Sequence, residues 1–487
     1  MLALVTLVIL PPGGRLRHAY AEKPAAKPDL VLRRTIRFAD FHRILSLPFQ
    51  VPEGTKRISM KFTYSRQEER TALDFGLLGP SGFRGWSGGD KDGFTLSLSD
   101  ATPAYLPGPI EPGAWTLLLG VPNIRRDVAS EFAAEVHFDR SSGDERNDPL
   151  VSLHLRPGPA WYRGDLHMHT AHSDGFCKSR MGQKVSCPLF LTVEAAAARG
   201  LDFIAVTDHN TQSHYDAERE LQPYFDNILL LPGRELTTYQ GHANVFGTTS
   251  FVDFRADVNS MLRQVASLDA IISINHPSAQ SGENCMGCGW TPVTPVDYHL
   301  VEAVEAVNGP DADGKSGVAF WEGLLNQGYH LTGIGGSDNH DAQIPLPGPG
   351  SIGYPTTVVQ ARDLSTASIL DGLRAGHVFI DTEGTRDRLL EYSASAGGRT
   401  AAMGDTLSVP TDGEIRIVVH VMHVKGSHLE LIADGSKQSA GNTEIQQDDQ
   451  RTTLELSAQR KWVRIDVCTP EGHRQLIGNP IYLDHPH

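Results

Sequence analysis

Alternation of apolar and polar positions marks both ends of the chain. Before residue 156 it runs through Arg57–Tyr64, Phe94–Leu98, Trp115–Leu119 and Phe132–Phe138, separated by turn signals at Pro80, Pro107–Pro109 and Pro112–Gly113. Side chains two apart share one face of a strand, so this pattern predicts antiparallel strands with one buried face, arranged as a β-sandwich. After residue 388 the alternation returns in Glu414–His420, His428–Ile432, Thr453–Leu456 and Trp462–Val467, which predicts a second small β-domain. The middle differs. Continuous apolar runs (Phe203–Val206, Ile228–Leu231, Ile271–Ile274, Val301–Val307 and Leu331–Ile334) alternate with helix-type stretches such as Thr192–Arg199 before Gly200 and Val258–Leu268. Runs of that kind read as strands buried on both faces, and their alternation with helices predicts an α/β parallel barrel or doubly wound sheet.

The two ends add a compartment to this picture. Met1–Leu10 is an apolar run of leader length, and Ala19-Tyr20-Ala21 is a small-x-small cleavage site. The basic residues Arg15 and Arg17 follow the run instead of preceding it. The expected organisation is a signal peptide over 1–21, a linker over 22–29, an N-terminal β-domain over 30–156, a catalytic-type α/β domain over 157–387 and a C-terminal β-domain over 388–487. The mature chain is then exported, periplasmic or secreted, after cleavage near Ala21. No run reaches the ~18 apolar residues of a membrane span, so no integral segment is expected in the mature chain. In such a compartment Cys177, Cys187, Cys285 and Cys288 allow two disulfides, with a structural zinc site or free thiols as the alternatives.

Charge narrows the partners. The formal net charge is −15, and a surface that acidic repels phosphate backbones, which argues against a nucleic-acid partner. Histidine numbers 21 of 487 residues, but placement matters more than the count. The middle strands end in Asp165-Leu166-His167-Met168-His169, with Ser173-Asp174-Gly175 following, then Thr207-Asp208-His209, Glu235, Gly241-His242, Asn275-His276-Pro277 and Ser337-Asp338-Asn339-His340. In barrel folds the C-terminal strand ends converge on one site. Convergence gathers six imidazoles with Asp174, Asp338 and Glu235, and two or three divalent cations would turn that set into satisfied ligands. Mixed imidazole and carboxylate donors suit zinc, manganese or iron better than calcium. Asp208, beside His209, is placed as an orienter of a ligand imidazole. No general acid for a leaving group is identifiable; His172, Tyr239 and His299 qualify by position only.

Taken together, His167-x-His169 with Ser173-Asp174-Gly175, Thr207-Asp208-His209, Glu235, His242, His276-Pro277 and Asp338-x-His340 resemble the PHP (polymerase and histidinol phosphatase) metal-dependent hydrolases. The stretch Gly82–Gly89, with Ala101–Tyr105 and Pro107–Pro109, is similar to the CehA/McbA-type branch. The resemblance implies a distorted seven-fold β/α (TIM-like) barrel flanked by N- and C-terminal β-sandwich-like domains. It implies one metal on His167, His169, Glu235 and Asp338, a second sharing Glu235 with His242 and His276, and a third on Asp174, His209 and His340. Glu235, Asp338 and Asp208 then carry the catalytic roles. The cofactor is two or three divalent metal ions, zinc foremost, with manganese or iron as alternatives. The function implied is phosphoester hydrolysis of a small-molecule substrate, with a metal-bridging hydroxide as nucleophile. Carbamate, ester or amide hydrolysis at the same site is the alternative, and a non-catalytic, metal-stabilised binding protein the second. Nothing in the sequence fixes the oligomeric state.

Overall fold

The computed structural model describes residues 27–485 apart from 89–90, 99–100, 141–147, 149, 283–284, 286, 310–316, 346–347, 349, 411–412, 442 and 458. The leader 1–21, most of the linker and Gly89 lie outside the described residues.

The N-terminal region forms the expected sandwich. One antiparallel sheet orders Leu30–Arg37, Ala129–Asp139, Arg57–Tyr64 and Gly93–Ser97; the other orders Ile44–Val51, Gly113–Asn123, Ala72–Gly79 and Gly82–Ser87. The alternating residues of both, including Ile58, Met60 and Phe62 from one and Phe75, Leu77 and Leu117 from the other, meet in a single core. Arg84 donates to the carbonyls of Leu106 (3.0 Å), Gly108 (3.2 Å) and Pro109 (3.0 Å) and lies over Trp115. The Gly82–Ser87 stretch therefore staples a turn.

The described strands of the middle region form no single closed ladder. They belong to two sheets. His154–Asp165, Phe203–Ile204 and Leu229–Leu230 run parallel in one sheet, with Thr356–Ser365 antiparallel beside the first of them. The second sheet orders Gly233–Thr238, Gly241–Phe246, Ile271–Ile274, Ala303–Asn308 and Thr332–Gly336, in which Gly241–Phe246 alone runs against the others. Among the described residues, single bridges link the sheets: His209 with Glu235, and Met168 with Asn339. Both enclose one core, in which Phe203 and Leu229 meet Phe246, Ile271, Ala303 and Ile334. The break has a local cause. Chain that would extend the short strands leaves the ladder to aim functional side chains, and Asn210, His276 and Asp338 adopt left-handed backbone angles (φ 54°, 27° and 52°).

Helices Leu189–Arg199, His214–Leu221, Val258–Ser267, Val318–Asn326 and Thr366–Arg374 complete the region. The first ends at Gly200, whose φ of 82° is the left-handed cap a glycine supplies best. No described helix is long and apolar enough to cross a membrane.

The C-terminal strands pack as two sheets over one core, a sandwich that is continuous with the middle region. Four of them, including Leu389–Ala396 and Glu414–Met422, make one sheet. Others extend the middle region's own sheet: Val378–Asp381 pairs with Arg474–Gly478, which pairs with Trp462–Cys468. Val358 and Phe379 share a core with Leu429, Ile465 and Leu476.

Candidate metal centre

The ligand-type residues sit where chain leaves a strand or turns a hairpin, and the hairpin Gly233–Thr238/Gly241–Phe246 supplies the middle of the site. Thr237 pairs with His242 across it, so Glu235, Thr237 and His242 point to one face. Gly336 permits the closest approach: a Cβ there would lie 2.5 Å from the His167 Cβ and 2.6 Å from Glu305 Oε1.

Glu235 is the hub. His242 Nδ1 lies 3.2 Å from its Oε1, and His167 Nε2 and His276 Nε2 each lie 3.4 Å from the same oxygen. His209 Nδ1 lies 2.6 Å and His169 Nε2 3.8 Å from Oε2. Asp338 Oδ1 stands 3.2 Å from His169 Nε2 and 3.4 Å from His167 Nε2. A second gathering surrounds Asp174 Oδ1, with His340 Nε2 at 3.4 Å, His209 Nε2 at 3.6 Å and His169 Nδ1 at 3.9 Å. All nine ligand-type residues singled out in the sequence thus share one cleft. The grouping differs in detail. His169 offers one ring nitrogen to each gathering. His276 groups with His167 and Asp338, and His242 with His209 and Glu235.

The electrostatics are those of a cation site. Burial would push the Glu235 carboxyl up, but His167, His209 and His242 hold it well below the usual carboxylate range. Asp338 is likewise held well below, against its burial, by His167, His169 and His276. The His340 contact brings Asp174 down to about 2. Four buried atoms in the cleft have no hydrogen-bond partner: His167 Nε2, His169 Nδ1, Glu235 Oε2 and His242 Nε2. Buried polar atoms are nearly always paired, and unpaired imidazole nitrogens facing carboxylate oxygens are what divalent cations satisfy. The donor set fits two or three such ions.

The supporting contacts include Glu305, which was not among the residues singled out in the sequence. Glu305 Oε1 accepts from His167 Nδ1 at 2.9 Å, and its Oε2 accepts from the His276 backbone N–H at 2.7 Å. Asn308 Nδ2 donates to Glu305 Oε2 (3.1 Å) and Asp338 Oδ2 (3.3 Å). His276 Nδ1 donates to the Cys288 carbonyl (3.0 Å), which leaves Nε2 for the cleft. Asp165 accepts from the backbone N–H groups of His167 (3.2 Å), Ser337 (3.0 Å) and Gly353 (2.7 Å), tying the first ligand segment to the last. The signal for Glu305 was a carboxylate inside an apolar run read as buried on both faces.

Asp208 has a different task from the one expected. Its oxygens accept from Thr170 N–H (2.7 Å), Thr170 Oγ1 (2.6 Å) and Ser173 Oγ, fixing the turn that presents Asp174. Of the general-acid candidates, His172 bonds Ser213 and His299 packs edge-on to Tyr329, while Tyr239 is 89% exposed and lines a cavity with Asn210 and Thr237. Lys178 and Arg180 are exposed on their loop. Cys285 and Cys288 form a disulfide, whereas Cys177 and Cys187 are buried free thiols, with the Cys187 thiol pushed up to about 12 by burial and by Cys177 beside it. A further group of His428, Glu430 and Cys468 lies in the C-terminal strands, where Lys437 already pairs with Glu430.

No protein-family model matches the chain, and no curated protein matches it. Among solved structures it is similar to a two-domain protein containing a predicted PHP-like metal-dependent phosphoesterase from Bacteroides vulgatus ATCC 8482. That likeness has 17% sequence identity and a TM-score of 0.38, and covers 67% of this chain and 95% of that one. A second likeness, to the Yersinia pseudotuberculosis-derived mitogen, has 15% identity and a TM-score of 0.15, and covers 24% of this chain and 92% of that one. Both are too loose to carry an argument, so the chemistry rests on the cleft itself.

Proposed function

We propose that this chain is an exported multinuclear metal-dependent hydrolase that cleaves phosphoesters of small molecules. The observation that carries the reading is the set of four unpartnered buried atoms, on His167, His169, Glu235 and His242, within a cleft of nine imidazole and carboxylate ligands. Glu235, Asp338, His167, His169, His242 and His276 would hold two cations, and Asp174, His209 and His340 a third, with His169 reaching both. Zinc, manganese or iron suits these donors. Bound there, such ions supply the positive charge that polarises a phosphoryl oxygen and acidifies water.

The chain's own residues prepare that chemistry. Glu305 holds the proton on His167 Nδ1, and the Cys288 carbonyl holds the one on His276 Nδ1, so each ring presents Nε2 to the cleft. Asp208 sets the turn before Asp174. Asp165 keeps the His167 and Asp338 segments in fixed relation where no continuous ladder joins them.

The test is elemental analysis of metal-replete protein, followed by a panel of p-nitrophenyl phosphate mono- and diesters and 1-naphthyl carbamates. Two or more metal equivalents with phosphoester turnover are expected. Turnover of the carbamate alone replaces the phosphoester reading, and a metal-replete protein that hydrolyses nothing replaces it with a binding role.

A further inference from the structure

The antiparallel strands His428–Ala433 and Trp462–Cys468 present a set of donors that the cleft does not use. Leu429, Leu431, Ile465 and Val467 belong to the shared core, so by strand alternation His428, Glu430 and Cys468 lie on the opposite face. The register sets His428 directly across from Cys468, with Glu430 two residues along the same face. One ring nitrogen, one carboxylate oxygen and the sulfur all lie within 4.8 Å of one another. His428 Nε2 and Glu430 Oε1 are 3.3 Å apart. Two nitrogen or oxygen ligands of a tetrahedral zinc ion, at ordinary bond lengths, also stand about 3.3 Å apart. Asp466, across from Glu430, is already taken: its two oxygens accept from Arg464 at 3.0 and 3.1 Å.

The surroundings suit a cation. Besides His428, Glu430 meets the ammonium of Lys437, whose side chain is 60% exposed. An ion pair on so exposed a side chain holds weakly, because water competes for both charges. A divalent ion that meets three donors at once displaces it, and the ammonium returns to water. Cys468 is buried and belongs to no disulfide. His428 is partly exposed and lines a cavity of about 620 Å³ with Lys425, Thr443, Glu444 and Gln446, which gives an ion its entry path.

We propose that His428, Glu430 and Cys468 form a zinc site, separate from the cleft, with water as the fourth ligand. On binding, the zinc–sulfur bond forms as the Cys468 thiol proton leaves to solvent; His428 contributes a neutral imidazole and Glu430 a carboxylate. Thiolate with imidazole selects zinc over the harder magnesium and calcium. Closed structural sites use four protein ligands, whereas three protein ligands and a water leave one exchangeable position. The site therefore ties two neighbouring strands together and keeps a position that an incoming ligand can take.

The test titrates cobalt(II), a spectroscopic substitute for zinc, into metal-stripped full-length protein. None of the nine cleft ligands is a cysteine, so a thiolate-to-cobalt charge-transfer band in the near ultraviolet reports a site outside the cleft. The band is expected in the native chain and lost in Cys468→Ala, with total metal content lower by one equivalent. Lys437→Ala, at an exposed position, should raise the cobalt affinity read from the band about two- to fivefold by removing the competing ammonium. His428→Gln should lower it at least about tenfold. No band in the native chain, or a band that survives in Cys468→Ala, overturns the proposal. If Cys468→Ala does not fold, the other two variants decide: an affinity that either of them leaves unchanged overturns the three-donor site.

Discussion

Two buried carboxylates show what separates a structural charge from a functional one. Asp148 and Glu235 are 0% and 1% exposed, and both are held below the ordinary carboxylate range in spite of their burial. Asp148 sits where the N-terminal sandwich meets the middle region, and its neighbours satisfy it. Oδ1 accepts from the Leu150 N–H (3.0 Å) and Arg219 Nε (3.2 Å), and Oδ2 from Arg219 Nη2 (2.5 Å) and Thr249 Oγ1 (2.9 Å). A guanidinium is permanently charged and brings a rigid fork of donors, so this carboxylate needs nothing further. Glu235 is surrounded by imidazoles, whose charge depends on pH. Asn275 donates to Oε1 at 2.8 Å, but Oε2 has no aligned donor. One cluster is complete; the other is complete only with cations.

That contrast can be broken by experiment. Glu235→Ala is expected to cost about 10³-fold or more in kcat/KM and to release metal, measured by steady-state kinetics and elemental analysis. Asp148→Ala should destabilise the fold by about 3–5 kcal/mol in denaturant titration, because it removes the buried acceptor of Arg219 Nε and Nη2, while metal stoichiometry in the folded protein stays the same. Loss of metal in Asp148→Ala would erase the distinction. Stripping the cations with a chelator should lower stability by about 2.7 kcal/mol if they are normally present at a hundredfold their Kd, and readdition should restore it. Glu305→Gln should weaken metal binding about 10–100-fold by loosening His167, with little change in Tm of the stripped protein.

The smallest effect concerns Glu218, a third buried carboxylate, with no hydrogen-bond partner for either oxygen. Burial pushes it well above its ordinary 4.5, Asp208 and Asp148 add to the rise, and Arg219 opposes it. A carboxyl raised on folding favours the folded state fully below about pH 4.5 and loses that contribution as pH climbs toward its folded value. Relative to Glu218→Gln, the native protein should therefore lose stability with rising pH, by up to about 1.4 kcal/mol per unit across that window. Parallel pH–stability curves for the two proteins would contradict this.

The sequence was most legible where pattern and structure share a period. Arg57–Tyr64 is a strand with the bounds its alternation predicts, because one face is buried and one is wet. Most ligand positions were legible because they fall where an apolar run stops, although Glu235 lies inside the strand Gly233–Thr238 and His242 opens the strand Gly241–Phe246. Glu305 was not, since its carboxylate lies inside the strand Ala303–Asn308 and serves a ring distant in sequence. The limits of the paired stretches escaped for a related reason. The runs at Phe203–Val206 and Ile228–Leu231 suggest strands of four residues, but only two of each pair, because the backbone beyond the first goes on to deliver Asp208 and His209 and beyond the second enters the strand that carries Glu235. Apolar character records burial, and burial continues after pairing has stopped. The role of Asp208 was misjudged because adjacency to His209 in the chain says nothing of which way its oxygens face.

The sheet that runs from Leu229–Leu230 through His154–Asp165 and Val378–Asp381 to Trp462–Cys468 has a consequence for divisibility. A cut at residue 388 would free the outer edge of Val378–Asp381 and expose Val358 and Phe379, which now pack against the C-terminal strands. An apolar strand edge without a partner recruits another chain. The last hundred residues therefore act as a covering for the middle region, and a shortened chain would trade an internal seam for self-association.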